Sequence, residues 1–343
     1  MAHEIDFSLG KAAFTRVEGS EIAWHGLGQT TPVTASLDQW QQDAGLDWVA
    51  NKQQVGILQD QTFLPIDNQM AIVRSDTHRV LSIKTDNRYQ AHQPKEILEF
   101  FDRFIKANRL TMETAGALKG GRIIFALARM NDAFAINVGG VDKVLPYFLL
   151  GTSFDGSLAT HGTPTAVRVV CANTHTQAVS EDYSKAISAR QRHSAGFDPS
   201  GLQRALEASG VEFVARANLF NKMADHAMSS EEINNFFIKD ILDIEPDDLS
   251  KYSNTGKPLV STKSKALITL LQQSYMSAPG ADIAKGTAWG AYNAVTHFCD
   301  HTARVRDTNL EGASAARLSS AWYGQGAKMK HQAIMRLSQM VAA

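Results

Sequence analysis

Two histidines four residues apart, His297 and His301, with Cys299 and Asp300 between them, form the one grouping in this chain that resembles a metal site. On a helix, positions i and i+4 share a face and can hold a zinc ion together. A metalloprotease of the HExxH type needs Glu directly after the first His, and here that position is Phe298. Cys299 points elsewhere round the helix and no third ligand follows, so no metal and no cofactor is assigned. On the same helical wheel Asn293, His297, Asp300, His301 and Arg304 make one polar stripe. Three readings of it stay open: a polar or salt-bridged helix face, a face that binds an anion or substrate, and a metal site.

A second grouping joins the turn Asp155-Gly156-Ser157 to the strand-like run RVVCANT, 168–174. An arginine inside so apolar a strand is costly to bury unless it is paired or meets a phosphate. Asp155 is the natural partner for an ion pair with Arg168. A ligand contact through Asp155, Arg168 and Asn173 is the other reading.

The third grouping is basic with aromatics interleaved: Lys84, Arg88, Tyr89 and His92, then Lys119, Arg122 and Arg129. Cations that track phosphates and flat rings that accept bases suit single-stranded nucleic acid; a solvated sheet face is the other reading. This requires the segment around Lys84 and the strand after Gly120-Gly121 to share a sheet, and Arg168 joins the set if it meets a phosphate. Trp24, Trp40 and Trp48 are assigned to the core.

The familiar enzyme signatures fail. Gly256-Lys257 is followed by Pro258, where a P-loop needs Ser or Thr. Gly26/Gly28 and Gly324/Gly326 each lack the third glycine of a dinucleotide fingerprint, and Ser153 sits in Gly-Thr-Ser-Phe-Asp rather than a GxSxG elbow. No catalytic residue is assigned.

The elements that must position these groups divide the chain. Ser36 caps a short helix ending before Gly45. Strand-like runs follow at Trp48–Leu58, Met70–Arg74 and Arg79–Lys84, the last two joined by a Ser75–His78 turn. Pro94 opens an amphipathic helix, PKEILEFFDRFIKAN, with Ile97, Leu98, Phe101, Phe104 and Ile105 on one face. Then come apolar runs, RIIFALARM, FAINV, KVLPYFLLGTSF and TAVRVVCAN, too close together for intervening helices, which predicts antiparallel pairing. Pro146 marks its strand as an edge or a bulge. Helical segments are expected at 199–226, 229–241, 261–277, 286–304 and 313–340. The fold class is therefore α+β, with a mostly antiparallel sheet in an N-terminal domain, 1–180, and a helical region, 181–343, packed on it. The stretch 244–258 is expected to be a mobile loop.

Bulk charge says little until it is divided. The 343 residues carry 34 Lys and Arg against 35 Asp and Glu, a net charge of −1. Within that total, residues 76–130 hold 10 basic and 6 acidic side chains, and residues 251–343 hold 11 and 4. The neutral sum therefore excludes a uniformly basic protein and leaves an anionic partner open. Two cysteines, Cys171 and Cys299, exclude a disulfide scaffold and a four-cysteine zinc site. The longest apolar run, around Val144–Leu150, falls far short of the roughly 18 residues a membrane span needs. Glu4 and Asp6 stand where a signal peptide would be basic. A cytoplasmic protein without a membrane partner is expected.

The segments AWHGLG (23–28), GLDW (45–48), GTSFDGS (151–157), RVVCANT (168–174), GTAWGAYNAVTHFCDH (286–301) and WYGQGAKMK (322–330) resemble, in order, signatures of the phage/plasmid-like protein family. This is a domain-of-unknown-function family carried by phages, prophages and conjugative plasmids. The resemblance implies a setting and carries over no catalytic residue. Accessory genes of such elements mostly handle DNA, and strands followed by helices are compatible with the core of phage single-strand annealing proteins, an analogy of fold alone. The expectation is a homo-oligomeric accessory protein that binds DNA, single-stranded in preference, and aids recombination or strand annealing without catalysing a covalent reaction. The alternatives are an anti-defence protein that binds a host factor, and a hydrolase or metal-dependent enzyme.

Overall fold

The β-rich half of the chain builds two sheets, both visible in a computed structural model that describes residues 5–20, 28–85, 88–107, 109–130, 135–168, 173–176, 189–303, 320–321 and 324–342, with the side chains of 167–168, 173–176 and 211–212 outside that description. Trp24, Cys171, Arg304 and the 313–319 part of the last expected helix also lie outside it. The larger sheet contains β1 (Phe14–Val17), β2 (Gln29–Thr31), β6 (Leu110–Leu118), β7 (Ile123–Met130), β8 (Ile136–Val138), β9 (Asp142–Ser153), β10 (Thr160–Arg168), β11 (Asn173–Thr176) and β12 (Ala189–Gln191). Its order is β11-β10-β9-β7-β6-β1-β2, with β12 added on β10 and β8 on β9. Every described pairing in it is antiparallel except β1 with β2. The smaller sheet is β3 (Ala50–Gln59), β4 (Thr62–Arg74) and β5 (Val80–Lys84), also antiparallel.

The alternation along β7 explains why this sheet is buried on both sides. Ile124, Ala126, Ala128 and Met130 enter the main core, while Ile123, Phe125 and Leu127 join a second cluster with Ile5, Phe14, Tyr147 and Leu149. Pro146 corrects one expectation. Its strand β9 is interior, flanked by β10 and by β7, so it is no edge. On the side away from β10, Pro146 falls between the residues paired with β8 and those paired with β7, where no ladder bond needs its missing N–H.

The helices begin and end largely where their caps predict. The Ser36 hydroxyl accepts from Gln39 N–H at the start of α1 (Leu37–Asp43). Pro94 occupies the first turn of α2 (Pro94–Lys106), and the Glu96 carboxylate accepts from Gln93 N–H. Ile97, Leu98, Phe101 and Phe104 are buried as their spacing requires. The second half supplies α3 (Ser200–Asp225), α4 (Ser230–Asn235), α5 (Thr262–Ser277), α6 (Ala288–His297) and α7 (Gln325–Ala342). Both α4 and α6 run on into π-helical turns, Phe236–Ile241 and Phe298–Thr302. Between them the 244–258 stretch holds a short 3₁₀ turn, Pro246–Leu249, and an isolated bridge between Tyr252 and Pro258.

Sheets in the first half and helices chiefly in the second make the protein α+β. Trp48, Phe101, Phe148 and Phe154 share one hydrophobic cluster with Phe213, Phe220, Trp289, Tyr292 and Leu337, so both halves contribute to a single core. Trp40 and Trp48 are buried in it, in keeping with their assignment. No described helix is long and apolar enough to cross a membrane.

Candidate functional site

The end of β5, the loop after β9 and the segment before α3 converge on one half-buried cluster. Lys84 closes β5, and its ammonium lies 4.6 Å from the centroid of the Tyr89 ring. Gly156, in the turn after β9, is packed so closely that a Cβ there would sit 3.1 Å from Lys84 Nζ. Asp155 shapes that turn by accepting from the Ser157 N–H at 2.8 Å. The Tyr89 hydroxyl donates to Ser153 O, and its ring stacks on His193 with centroids 5.0 Å apart and planes 24° from parallel. The next ring is His92, 4.5 Å from His193.

Hydrogen bonds connect these histidines through two threonines. His92 Nε2 faces Ala195 O at 3.0 Å and so carries its proton there, leaving Nδ1 to accept from Thr160 Oγ1 at 2.6 Å. Thr160 is 2.6 Å from Thr152 Oγ1, Thr152 is 3.3 Å from His193 Nε2, and His193 Nδ1 faces Gln90 O at 3.1 Å. With both imidazoles neutral, these five links share four protons, and the longest, Thr152 to His193, is left short. Burial, with His92 as the next cause, pushes the His193 pKa down to about 4. Burial likewise lowers His92 and lowers the Lys84 ammonium, the latter opposed by Asp155. Burial and the Asp155 charge raise the Tyr89 phenol. Several displaced ionisations in one half-buried group mark a site that can respond to an incoming charge.

The seven residues expected to line a nucleic-acid groove divide between two ends of the larger sheet. Lys84 lies in the smaller sheet and Arg122 immediately before β7 of the larger, so the shared sheet expected for them does not exist. They are neighbours nonetheless. Phe154 N–H donates to Arg122 O at 2.8 Å, and the Ser82 hydroxyl donates to Phe154 O at 2.6 Å. Lys119 and Gly120 form the preceding turn, with the Arg79 guanidinium against Gly120. Arg122 Nε is buried and finds no hydrogen-bond partner among the described residues. Lys84, Arg88, Tyr89, Lys119 and Arg122 thus belong to one end. Arg129 sits six residues along β7, about 20 Å away at ~3.3 Å per residue.

Arg168 lies at that far end too, opposite Val144 and Asn173. Asp155 follows β9 at the near end, so the expected Asp155–Arg168 ion pair is ruled out by the length of β10. The side chains of Arg168 and Asn173 are outside the description.

The polar stripe on the late helix resolves into packing. After His297 the π turn shifts the angular position of each later residue. Asp300 consequently points inward and pairs with Lys330 of α7 at 2.8 Å. Asn293 is buried, its amide donating to Trp289 O, and the Trp289 indole donates to Asp142 Oδ2 at 2.8 Å. His297 Nδ1 meets Ser274 Oγ at 3.1 Å, and its ring lies 4.9 Å from that of His301. Burial, with His301 as the next cause, pushes the His297 pKa down to about 4, and burial pushes the Cys299 thiol up to about 12. No group of three or more metal-ligating side chains occurs among the described residues.

Sequence reasoning missed His193, Thr152, Thr160 and the exposed Arg190 and Arg192 beside them. The signal available was the run Arg190-Gln191-Arg192-His193, short and far in sequence from Tyr89.

A family model described as Domain of unknown function (DUF932) matches residues 81–322. That range holds Lys84, Tyr89, Thr152, Asp155, His193 and Asp300, and begins after β3 and β4. No curated protein and no solved structure matches the chain.

Proposed function

The chain belongs to the family described as Domain of unknown function (DUF932), and from that premise we propose that it is an accessory protein of phages, prophages and conjugative plasmids that binds single-stranded DNA in the cytoplasm and aids recombination or annealing. The reading rests on one observation above all. The stacked Tyr89–His193 pair, with the Lys84 ammonium over Tyr89, lies at the end of the sheet that also carries Arg122, beside the exposed Arg88, Arg190 and Arg192. Tyr89, between His193 and Lys84, holds that ammonium in place to meet a phosphate. Cationic side chains around it neutralise phosphates and release counterions. The reaction expected of such a site is rearrangement of strands, with no covalent bond made or broken. Its setting on mobile elements is supported by the ordered motifs from AWHGLG to WYGQGAKMK.

Fluorescence anisotropy with a labelled single-stranded oligonucleotide, repeated over a salt series, tests the proposal. Micromolar binding that weakens steeply with salt is the expected result. Absence of binding at low salt, or binding unchanged in a Lys84→Gln, Arg88→Gln, Arg192→Gln triple variant, overturns it.

A further inference from the structure

The β3–β4 hairpin outruns the sheet it belongs to. β5 pairs with β4 only over Met70–Val73, so from Thr62 to Gln69 the described partner of β4 is β3 alone, and β3 is an edge throughout. Asp60 and Gln61 join the strands with φ of 49° and 65°, the two positive values of a tight hairpin turn that matches strand twist. At this tip Leu58 is 75% exposed, Ile57 55% and Phe63 52%, with Leu64 and Ile66 exposed as well. Register sets Ile57 opposite Leu64 on one face and Leu58 opposite Phe63 on the other, so both faces are apolar. The Phe63 ring covers Gly56, where a Cβ would come within 2.5 Å of it.

A two-stranded hairpin is marginal in water, and long edge strands are normally blunted by charge. On β3 the one charged residue is Lys52.

We propose that this arm joins two copies of the chain, β3 adding antiparallel to β3 of the second copy across a two-fold axis. The charges of the arm select that occupant. Between residues 50 and 70 the arm carries Lys52, Asp60 and Asp67, too little positive charge to hold a phosphate backbone. Antiparallel pairing centred on Gly56 sets Val55 opposite Ile57 of the second copy and brings Lys52 beside Asp60 in its turn, each twice by symmetry, so the arm is complementary to itself. The exposed apolar side chains at the tip amount to on the order of 500 Å², as large as the largest patch of a typical monomer. Edge pairing buries the β3 share of this patch, Ile57 and Leu58, together with the backbone edge beside them. The arm precedes residues 81–322, so this contact is separate from the shared domain and independent of the nucleic-acid reading.

Sedimentation velocity of the full chain over a micromolar concentration series, without nucleic acid, tests the proposal. The wild type is expected at twice its 37.5 kDa. Ile57→Glu with Leu58→Glu, at exposed positions of β3 that leave the core intact, is expected to weaken self-association about tenfold or more. Lys52→Glu is expected to weaken it, and Lys52→Glu combined with Asp60→Lys to restore it. A monomeric wild type, tip variants that associate as the wild type does, or a charge swap without restoration overturns the assignment.

Discussion

Lys330 Nζ and Asp300 Oδ1 lie 2.8 Å apart with their side chains 0% and 6% exposed, and the bond joins α7 to the π turn that ends α6. A buried pair of this kind adds little net stability over apolar side chains of the same size, but removal of one partner strands a charge. Lys330→Met alone is therefore expected to cost about 3–5 kcal/mol in urea unfolding. Lys330→Met with Asp300→Leu is expected to recover much of that loss. A double variant as unstable as the sum of the singles would contradict this account.

Gly290 and Gly140 separate two reasons for a glycine. A Cβ on Gly290 would sit 2.2 Å from Ala284 O, a backbone atom that cannot step aside, whereas Gly140 has φ +78° and nothing within 4 Å. Gly140→Ala is expected to cost about 1 kcal/mol, the left-handed penalty alone. Gly290→Ala is expected to cost more than twice that, since α6 must move off the 281–284 turn. Thermal melting of the two variants side by side checks the order.

The motif GTAWGAYNAVTHFCDH contains both Gly290 and Asp300, and here the limits of sequence reading are plain. The helix over 286–304 was legible in outline, and α2 from Pro94 and its apolar stripe. The inward turn of Asp300 was not, because a wheel of constant period cannot register a π turn. The cluster around Tyr89 was half legible: Lys84, Arg88 and Tyr89 stand together in sequence, but His193 reaches them only through the pairing of β10 with β12. Asp155 looked like the partner of Arg168 because sequence proximity hides the length of the strand between them.

Stability is expected to fall on mild acidification. His193 and His297 are held to about 4 in the folded chain, against an ordinary 6.5. As pH drops below 6.5 the unfolded chain takes up these protons first, while the folded chain does so only near 4. The stability is thus fully present above 6.5, is lost progressively down to about 4, and changes no further from these two groups below that. Urea midpoints at pH 7.5 and pH 5 measure the loss, and His193→Gln with His297→Gln is expected to shrink the difference between them.

Lys84 offers the sharpest readout on binding. If its ammonium meets one phosphate, Lys84→Gln is expected to reduce the salt slope for single-stranded DNA by about 0.7 and to weaken binding evenly across sequences. Arg129→Gln, at the opposite end of β7, is expected to leave the slope unchanged. Equal effects of the two substitutions would count against the site around Tyr89.

The hydrogen bond from Trp289 to Asp142 spans 147 positions of sequence, and it bears on how the protein comes into being. During synthesis α2 and the strands emerge first, and the part of the sheet made by β8, β10 and β11 waits for α3, α6 and α7 before it is covered. Contacts this non-local slow the search for the native state and leave a nascent sheet open to wrong pairings. The ribosome-bound chain is thus expected to need shelter from chaperones until its final helices arrive, a demand that an isolated early fragment would never outgrow.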